Sequence, residues 1–267
     1  MASVDISSQD IERLRTPWDW KDLSSESPVI TRHKIERAKE LGVVAVVFTA
    51  SQVAERAKEL ALLEYALRNG DLNKSVYGVI LKGGVQFASL LFREMASLSP
   101  VMNPVVDYVD VSRYGPSQQG GGIEVKRKLG PKTDINGVRF TKIEDTIDEG
   151  ITMERTGEVA LDSERCFMLG DGITGPASEI GVIALTDKRI SEMKGFKPES
   201  VTRGLWIPNA WGGGNGLDGP NEALRWIPET VITPVQHEKY RDAFPEILDI
   251  LGERAVMGMD DITWIAD

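Results

Sequence analysis

A chain of 267 residues, 41% hydrophobic and 27% charged, can bury a sizeable core and has an ordinary globular composition. Its formal net charge of −10 disfavours non-specific binding to nucleic acid or to an anionic membrane surface, although a phosphorylated small molecule needs only a local site. One cysteine, Cys166, excludes an intrachain disulfide, and with only two histidines the usual zinc spacings are excluded too, so any metal should be a hard cation on oxygen ligands.

Met1 to Gln9 is polar and lacks the apolar segment of a signal peptide, and no apolar run approaches the ~20 residues of a membrane span. A cytoplasmic protein is expected. Residues 1–42 read as an N-terminal appendage with a short helix at 8–15, and Trp18 and Trp20 suit packing of that segment onto the body. A helix is expected over 31–41, capped by Gly42. Val43–Phe48 is apolar and β-branched, hence a strand. Thr49-Ala50-Ser51-Gln52 has capping-box spacing, and Val53, Ala57, Leu60, Leu63 and Leu67 then recur at helical spacing as far as Gly70.

Val76–Leu81 reads as a strand and 85–97 as a helix that buries Phe87, Leu90, Leu91 and Met95. Val105–Val111 is the next strand. Residues 113–122 carry four glycines and a proline, which predicts a mobile loop of lid length. Ile123–Lys128 and Val138–Ile143 are strands, and an acidic loop at 144–149 leads to a helix starting near Ile151. Residues 161–178 look irregular. Strands follow at 181–185, 201–207 and 229–235, then a C-terminal helical tail over 236–267, with its helix at 236–251. The alternation of strands and helices predicts an α/β fold with a mainly parallel sheet.

Ligands of such a sheet lie beyond the carboxyl ends of its strands, and three of these ends carry chemistry. In Ile143-Glu144-Asp145-Thr146-Ile147-Asp148-Glu149-Gly150-Ile151-Thr152, a loop meets a helix N-terminus, where free backbone N–H groups and the helix dipole favour an anion. Carboxylates there could bind sugar hydroxyls or Mg²⁺ or accept a proton; the same residues would also suit a plain acidic helix start. Leu81-Lys82-Gly83-Gly84 offers charge and close backbone approach to a phosphate, or an ordinary strand-to-helix turn. In 205–225, Trp211 beside Gly212, Gly213 and Gly214 suits stacking on a flat base, or ordinary packing.

Taken in order, these loops and the 112–122 lid resemble the hypoxanthine-guanine phosphoribosyltransferases, which have the type I phosphoribosyltransferase fold. The likeness runs from about Val44 to Thr233, with a base-binding hood over about 187–233, so the main domain is expected at 43–235. The 143–152 segment matches the family's phosphoribosyl pyrophosphate motif. The resemblance implies Mg²⁺-dependent transfer of the 5-phosphoribosyl group from phosphoribosyl pyrophosphate to a purine base, giving a nucleoside 5′-monophosphate and pyrophosphate. It assigns Glu144 and Asp145 to the ribose hydroxyls and metal. Asp148 becomes the proton acceptor, and Glu149, Gly150, Ile151 and Thr152 hold the 5′-phosphate. Lys82 and Gly83 face the pyrophosphate, with Leu81–Lys82 a candidate cis peptide. Lys188 bonds the purine O6, Trp211 stacks, Gly212 contacts the base edge, Asp218 binds Mg²⁺ and Arg225 reaches the pyrophosphate. Arg113 and Tyr114 belong to the lid. The family's dimers and tetramers imply a homo-oligomer.

Two departures stand out. Glu149 occupies a position where the family usually has a small hydroxyl residue against the 5′-phosphate. Two like charges ~4 Å apart at an effective dielectric of ~20 repel by about 4 kcal/mol. The side chain is therefore expected to turn to solvent or to pair with a cation such as Arg155, unless the ligand itself has changed. The run of glycines after Trp211 is also more open than the family's pattern and suits a larger or different base. A modified or non-purine base, or a nucleotide sensor without chemistry, are the alternative readings.

Overall fold

A computed structural model describes residues 6–22, 38–99, 103–113, 123–189, 200–217 and 224–266. In chain order the main elements are α1 (Ser8–Arg15), β1 (Trp18–Asp19), β2 (Ala45–Phe48), α2 (Ala50–Leu67), β3 (Ser75–Ile80), α3 (Gly84–Leu98), β4 (Val105–Arg113), β5 (Ile123–Arg127), β6 (Arg139–Ile147), α4 (Ile151–Leu161), β7 (Glu179–Asp187), β8 (Val201–Trp206), β9 (Gly212–Gly213), β10 (Thr230–Ile232), β11 (Val235–His237), α5 (Phe244–Leu251) and β12 (Thr263–Ile265). Among the described residues no helix is long and apolar enough to cross a membrane.

The chain divides into two compact units. One takes the chain up to Thr16 and from Ala57 to Gly204; the other takes Pro17 to Arg56 and Leu205 onward. These limits do not coincide with the boundaries expected at residues 42 and 235. The segment read as an appendage is divided between the two units, and 31–37 lie outside the described residues.

The first unit is built on β8-β7-β6-β3-β4-β5, in that order across the sheet. β7, β6, β3 and β4 pair in parallel, and β5 returns antiparallel along β4. Parallel strands need helical crossovers, and α3 and α4 supply two of them. Both sheet faces are covered, so every residue of β3 is buried, Tyr77 and Val79 among them. The core is formed by Val76, Ile80, Val109, Phe140, Ile147, Val159, Leu169 and Val182. A fully buried chain such as Phe140 contributes about 1.5–3 kcal/mol. A polar layer closes the amino ends of the strands: Arg139 bonds Glu179, Ser200 and Thr141, and the Tyr77 hydroxyl donates to Glu64.

In the second unit β10 pairs antiparallel with both β2 and β9, and β11 pairs in parallel with β12. Trp18 and Asp19 pair with Leu205 and Trp206. Ala38, Val43, Val46 and Val231 make a small core of its own.

Several elements differ from expectation for identifiable reasons. The 138–143 strand continues to Ile147, because β7 pairs with it as far as Ile147 and Asp187. The expected acidic loop thus shrinks to residues 148–150, with Glu144 and Asp145 inside the strand. The expected 229–235 strand is two strands, broken at Pro234, which has no N–H for a ladder. The C-terminal tail is not simply helical: a 3₁₀ segment at Glu238–Ala243 precedes α5, which begins at Phe244 with Pro245 in its first turn, and β12 follows.

Close approach between strands fixes one glycine in the sheet. A Cβ on Gly204 would lie 2.4 Å from the Leu185 carbonyl oxygen, a backbone atom that cannot swing aside. Gly204→Ala should lower stability by about 1–3 kcal/mol. Urea unfolding checks this, and an unchanged midpoint would contradict it.

Candidate active site

Three strand ends of the first unit lie side by side, because Val79 pairs with Ile143 and Ile147 pairs with Asp187. They carry Lys82-Gly83, the 148–150 loop and Lys188. The Leu81–Lys82 peptide bond is cis, as the resemblance implied. The turn then presses onto β6: a Cβ at Gly83 would lie 2.3 Å from Asp145 Oδ1, and one at Gly84 would lie 2.5 Å from the Ile143 carbonyl oxygen. At Gly84 the obstacle is backbone and only glycine fits, while at Gly83 a side chain would have to displace the Asp145 carboxylate. Lys82 itself is exposed.

Glu144 and Asp145 are both buried at this end of β6. Glu144 Oε1 accepts the Asp145 N–H at 3.1 Å, and the Thr186 hydroxyl donates to the Asp145 carbonyl at 2.8 Å. Burial and the neighbouring Asp145 charge push the Glu144 carboxyl well above the usual range. Asp148 is exposed, and its Oδ1 lies 3.7 Å from Lys188 Nζ. The Lys188 N–H donates to the Ile147 carbonyl at 3.2 Å, which ties the two loops together.

Gly150 adopts a left-handed conformation, φ +78°, and turns the chain into α4. No side chain caps that helix start. The first-turn N–H groups at Ile151 and Thr152 therefore face a place where an anion would complete the helix. Glu149 is half-buried and engaged by other groups. Arg155, one candidate partner for it, forms its ion pair with Glu158 at 2.8 Å.

Two supports in this unit carried no sequence signal. Asp187 is fully buried; it accepts from Arg203 Nε at 2.7 Å and from the Arg189 N–H at 2.6 Å, which fixes the turn that bears Lys188. Lys142, two residues before Glu144, is buried, and its Nζ donates to the Met153 carbonyl in the first turn of α4. Gly157 leaves room for it, since a Cβ there would lie 3.2 Å from Lys142 Nζ. Burial lowers the Lys142 pKa to about 7.

The expected base plate belongs to the second unit. Trp211 is half-buried, and its backbone is clamped on both sides. Its N–H donates to Gln236 Oε1 at 2.7 Å, while its carbonyl accepts from Gln236 Nε2 at 3.0 Å and from the Thr233 hydroxyl at 3.1 Å. The glycines are less open than the sequence suggested: Gly212 and Gly213 pair with Ile232 and Val231. Arg225 is buried, and its Nη1 donates to the Gly216 carbonyl at 2.5 Å. Asp218 and Tyr114 lie outside the described residues, and Arg113 ends β4. Among the described residues, no group of three or more His, Cys, Asp or Glu is placed to hold a metal.

No family model and no curated protein matches the chain. Solved structures do. A hypoxanthine phosphoribosyltransferase from Staphylococcus aureus is 21% identical, with a TM-score of 0.57 over 73% of this chain and 94% of that one. A hypoxanthine-guanine phosphoribosyltransferase from Bacillus anthracis is 22% identical, with a TM-score of 0.54 over 72% and 98%. The hypoxanthine phosphoribosyl transferase of Trypanosoma cruzi is 22% identical, with a TM-score of 0.57 over 77% and 96%. The chain shares the fold of these enzymes.

Lys142 makes stability depend on pH in a defined direction. Its folded pKa of about 7 lies below its ordinary value of 10.5. Between the two, the unfolded chain binds the additional proton, so stability rises with pH across that window. From pH 7 to 9 the wild type should gain about 1–3 kcal/mol relative to Lys142→Met in urea unfolding. Parallel pH profiles of the two proteins would contradict this.

Proposed function

We propose that the chain transfers the 5-phosphoribosyl group from phosphoribosyl pyrophosphate to a purine base of the hypoxanthine, guanine or xanthine kind, releasing pyrophosphate and a nucleoside 5′-monophosphate. The observation that carries this reading is the close packing of the 81–84 turn on Asp145 of β6, which leads into an uncapped helix start, with Asp148 and Lys188 on two neighbouring loops. A phosphate, a sugar diol and a base each find suitable chemistry within that one unit.

In the reaction the C1′–O bond to pyrophosphate breaks and a C1′–N bond to the base forms. Backbone N–H groups of Gly150, Ile151 and Thr152, with the Thr152 hydroxyl, would hold the 5′-phosphate. Glu144 and Asp145 would orient the ribose 2′- and 3′-hydroxyls. Asp148 is exposed enough to meet the base and would accept its proton as the new bond forms. Lys188, 3.7 Å from Asp148, would donate to the purine oxygen. Lys82 and the N–H of Gly83 would meet the leaving pyrophosphate. On the resemblance alone, Trp211 and Gly212 are assigned to the base, Arg225 to the pyrophosphate, and Arg113 and Tyr114 to a closing loop.

Mg²⁺ fits the carboxylate pair. The charge of Asp145 works with burial to disfavour an ionised Glu144, and a cation or two hydroxyl donors would relieve that repulsion. Mg²⁺ commonly takes one or two carboxylates and completes its shell with substrate phosphate oxygens and water, so it would arrive with the donor. Glu144 and Asp145 would hold it, with Asp218 the further ligand implied by the resemblance. When bound it would neutralise charge on the departing pyrophosphate.

Glu149 supports a second reading of the substrate. It is the feature of the phosphate loop that departs from the family's pattern, so a modified or non-purine base should be included among those tested.

Incubation with phosphoribosyl pyrophosphate, Mg²⁺ and each base should release pyrophosphate with at least one of them. Well-folded protein without turnover on any base would refute the proposal. Asp148→Asn should retain ligand binding and lose about 10²-fold or more in turnover; unchanged turnover would remove Asp148 from its role.

A further inference from the structure

A tryptophan next to three glycines should be a poor plate for a flat ligand, because ordering the loop and the side chain on binding costs affinity. The second unit removes that cost with β11. Gln236 is fully buried on this strand, and its side-chain amide pairs with both the N–H and the C=O of Trp211, as one rung of a ladder would. The next residue, His237, lays its imidazole on the indole, with ring centroids 5.0 Å apart and planes 14° from parallel. Tyr240 meets that imidazole in an edge-on arrangement at 6.1 Å and 82°. β11 is itself paired with β12, His237 opposite Ile265. The ring system is therefore fixed through the backbone and through one face. A flat ligand stacked on Trp211 would have to take the face that His237 does not cover.

We propose that His237 is a positioning residue for the base: it holds the indole of Trp211 in plane, so that a purine-like ring completes a base–indole–imidazole stack. Its chemistry selects for extended aromatic bases, since an aromatic stack gains with overlap area and is insensitive to the groups at the rim. The inference rests on the reading of Trp211 as the base-contacting aromatic.

The test is steady-state kinetics of the full chain with phosphoribosyl pyrophosphate, Mg²⁺ and a purine that the wild type converts. His237→Ala should raise KM for the base about three- to tenfold, while KM for phosphoribosyl pyrophosphate and kcat stay near wild type. His237→Phe, which restores a ring, should recover the base KM; His237→Gln, polar but without a ring, should not. If the alanine variant folds poorly, the Phe and Gln variants decide the matter between themselves. Equal base KM values for wild type and the ring-less variants would overturn the proposal and leave the assigned reaction standing. A loss that appears equally in both KM values would mark His237 as ordinary packing and overturn it too. Absence of turnover by the wild type on every base would remove the reading of Trp211, and this inference with it.

Discussion

The parallel seating of β6 between β3 and β7 is the constraint on which the first unit depends. It sets Val79 beside Ile143 and Ile147 beside Asp187, so that three chain turns emerge from the same edge. It also brings Gly84 against the Ile143 carbonyl, where no side chain could fit, and Gly83 against the Asp145 carboxylate. The Asp145 carboxylate is thereby fixed against the 81–84 turn rather than left to solvent. The site is thus a consequence of strand register, with the loops short and the chemistry at their roots.

That register also has an electrostatic cost. β6 buries Lys142, Glu144 and Asp145 within four consecutive positions, where charged forms are poorly solvated. Lys142 is shifted down and Glu144 up, mainly by desolvation. Such strain suits a site that gains its balancing charges and hydroxyls from a ligand. The helix that follows is in the same condition: α4 begins at Gly150 without a side-chain cap. An anion at that point would stabilise the helix while being held by it. Glu149, just before Gly150, runs against this trend by placing a further carboxylate beside the same helix start.

Much of this was legible in the sequence. The apolar β-branched runs, the capping box at Thr49 and Gln52, and the helical stripe from Val53 to Leu63 all carry a period, and all have structural counterparts. The extent of β6 was not legible. Glu144, Asp145 and Thr146 look like loop residues, and only pairing with β7 keeps them in a strand. Side-chain supports were equally silent. Asp187 and Arg203 are sixteen positions apart with no local pattern between them. Gln236 reaches back to Trp211 across twenty-five positions. The stacking of His237 on Trp211 follows from that long-range clamp, and no spacing rule announces it. The glycines after Trp211 misled in the other direction, since Gly212 and Gly213 pair as a short strand rather than standing open.

The central claim is that the end of β6 and the start of α4 together form a phosphoribosyl site. A crystal structure of the protein grown with a nucleoside 5′-monophosphate tests it most directly. The account predicts the phosphate on the backbone N–H groups of residues 150–152, the ribose hydroxyls at Glu144 and Asp145, and the base beside Asp148 and Lys188. A phosphate bound elsewhere, or a ligand at full occupancy that leaves these carboxylates untouched, would contradict it.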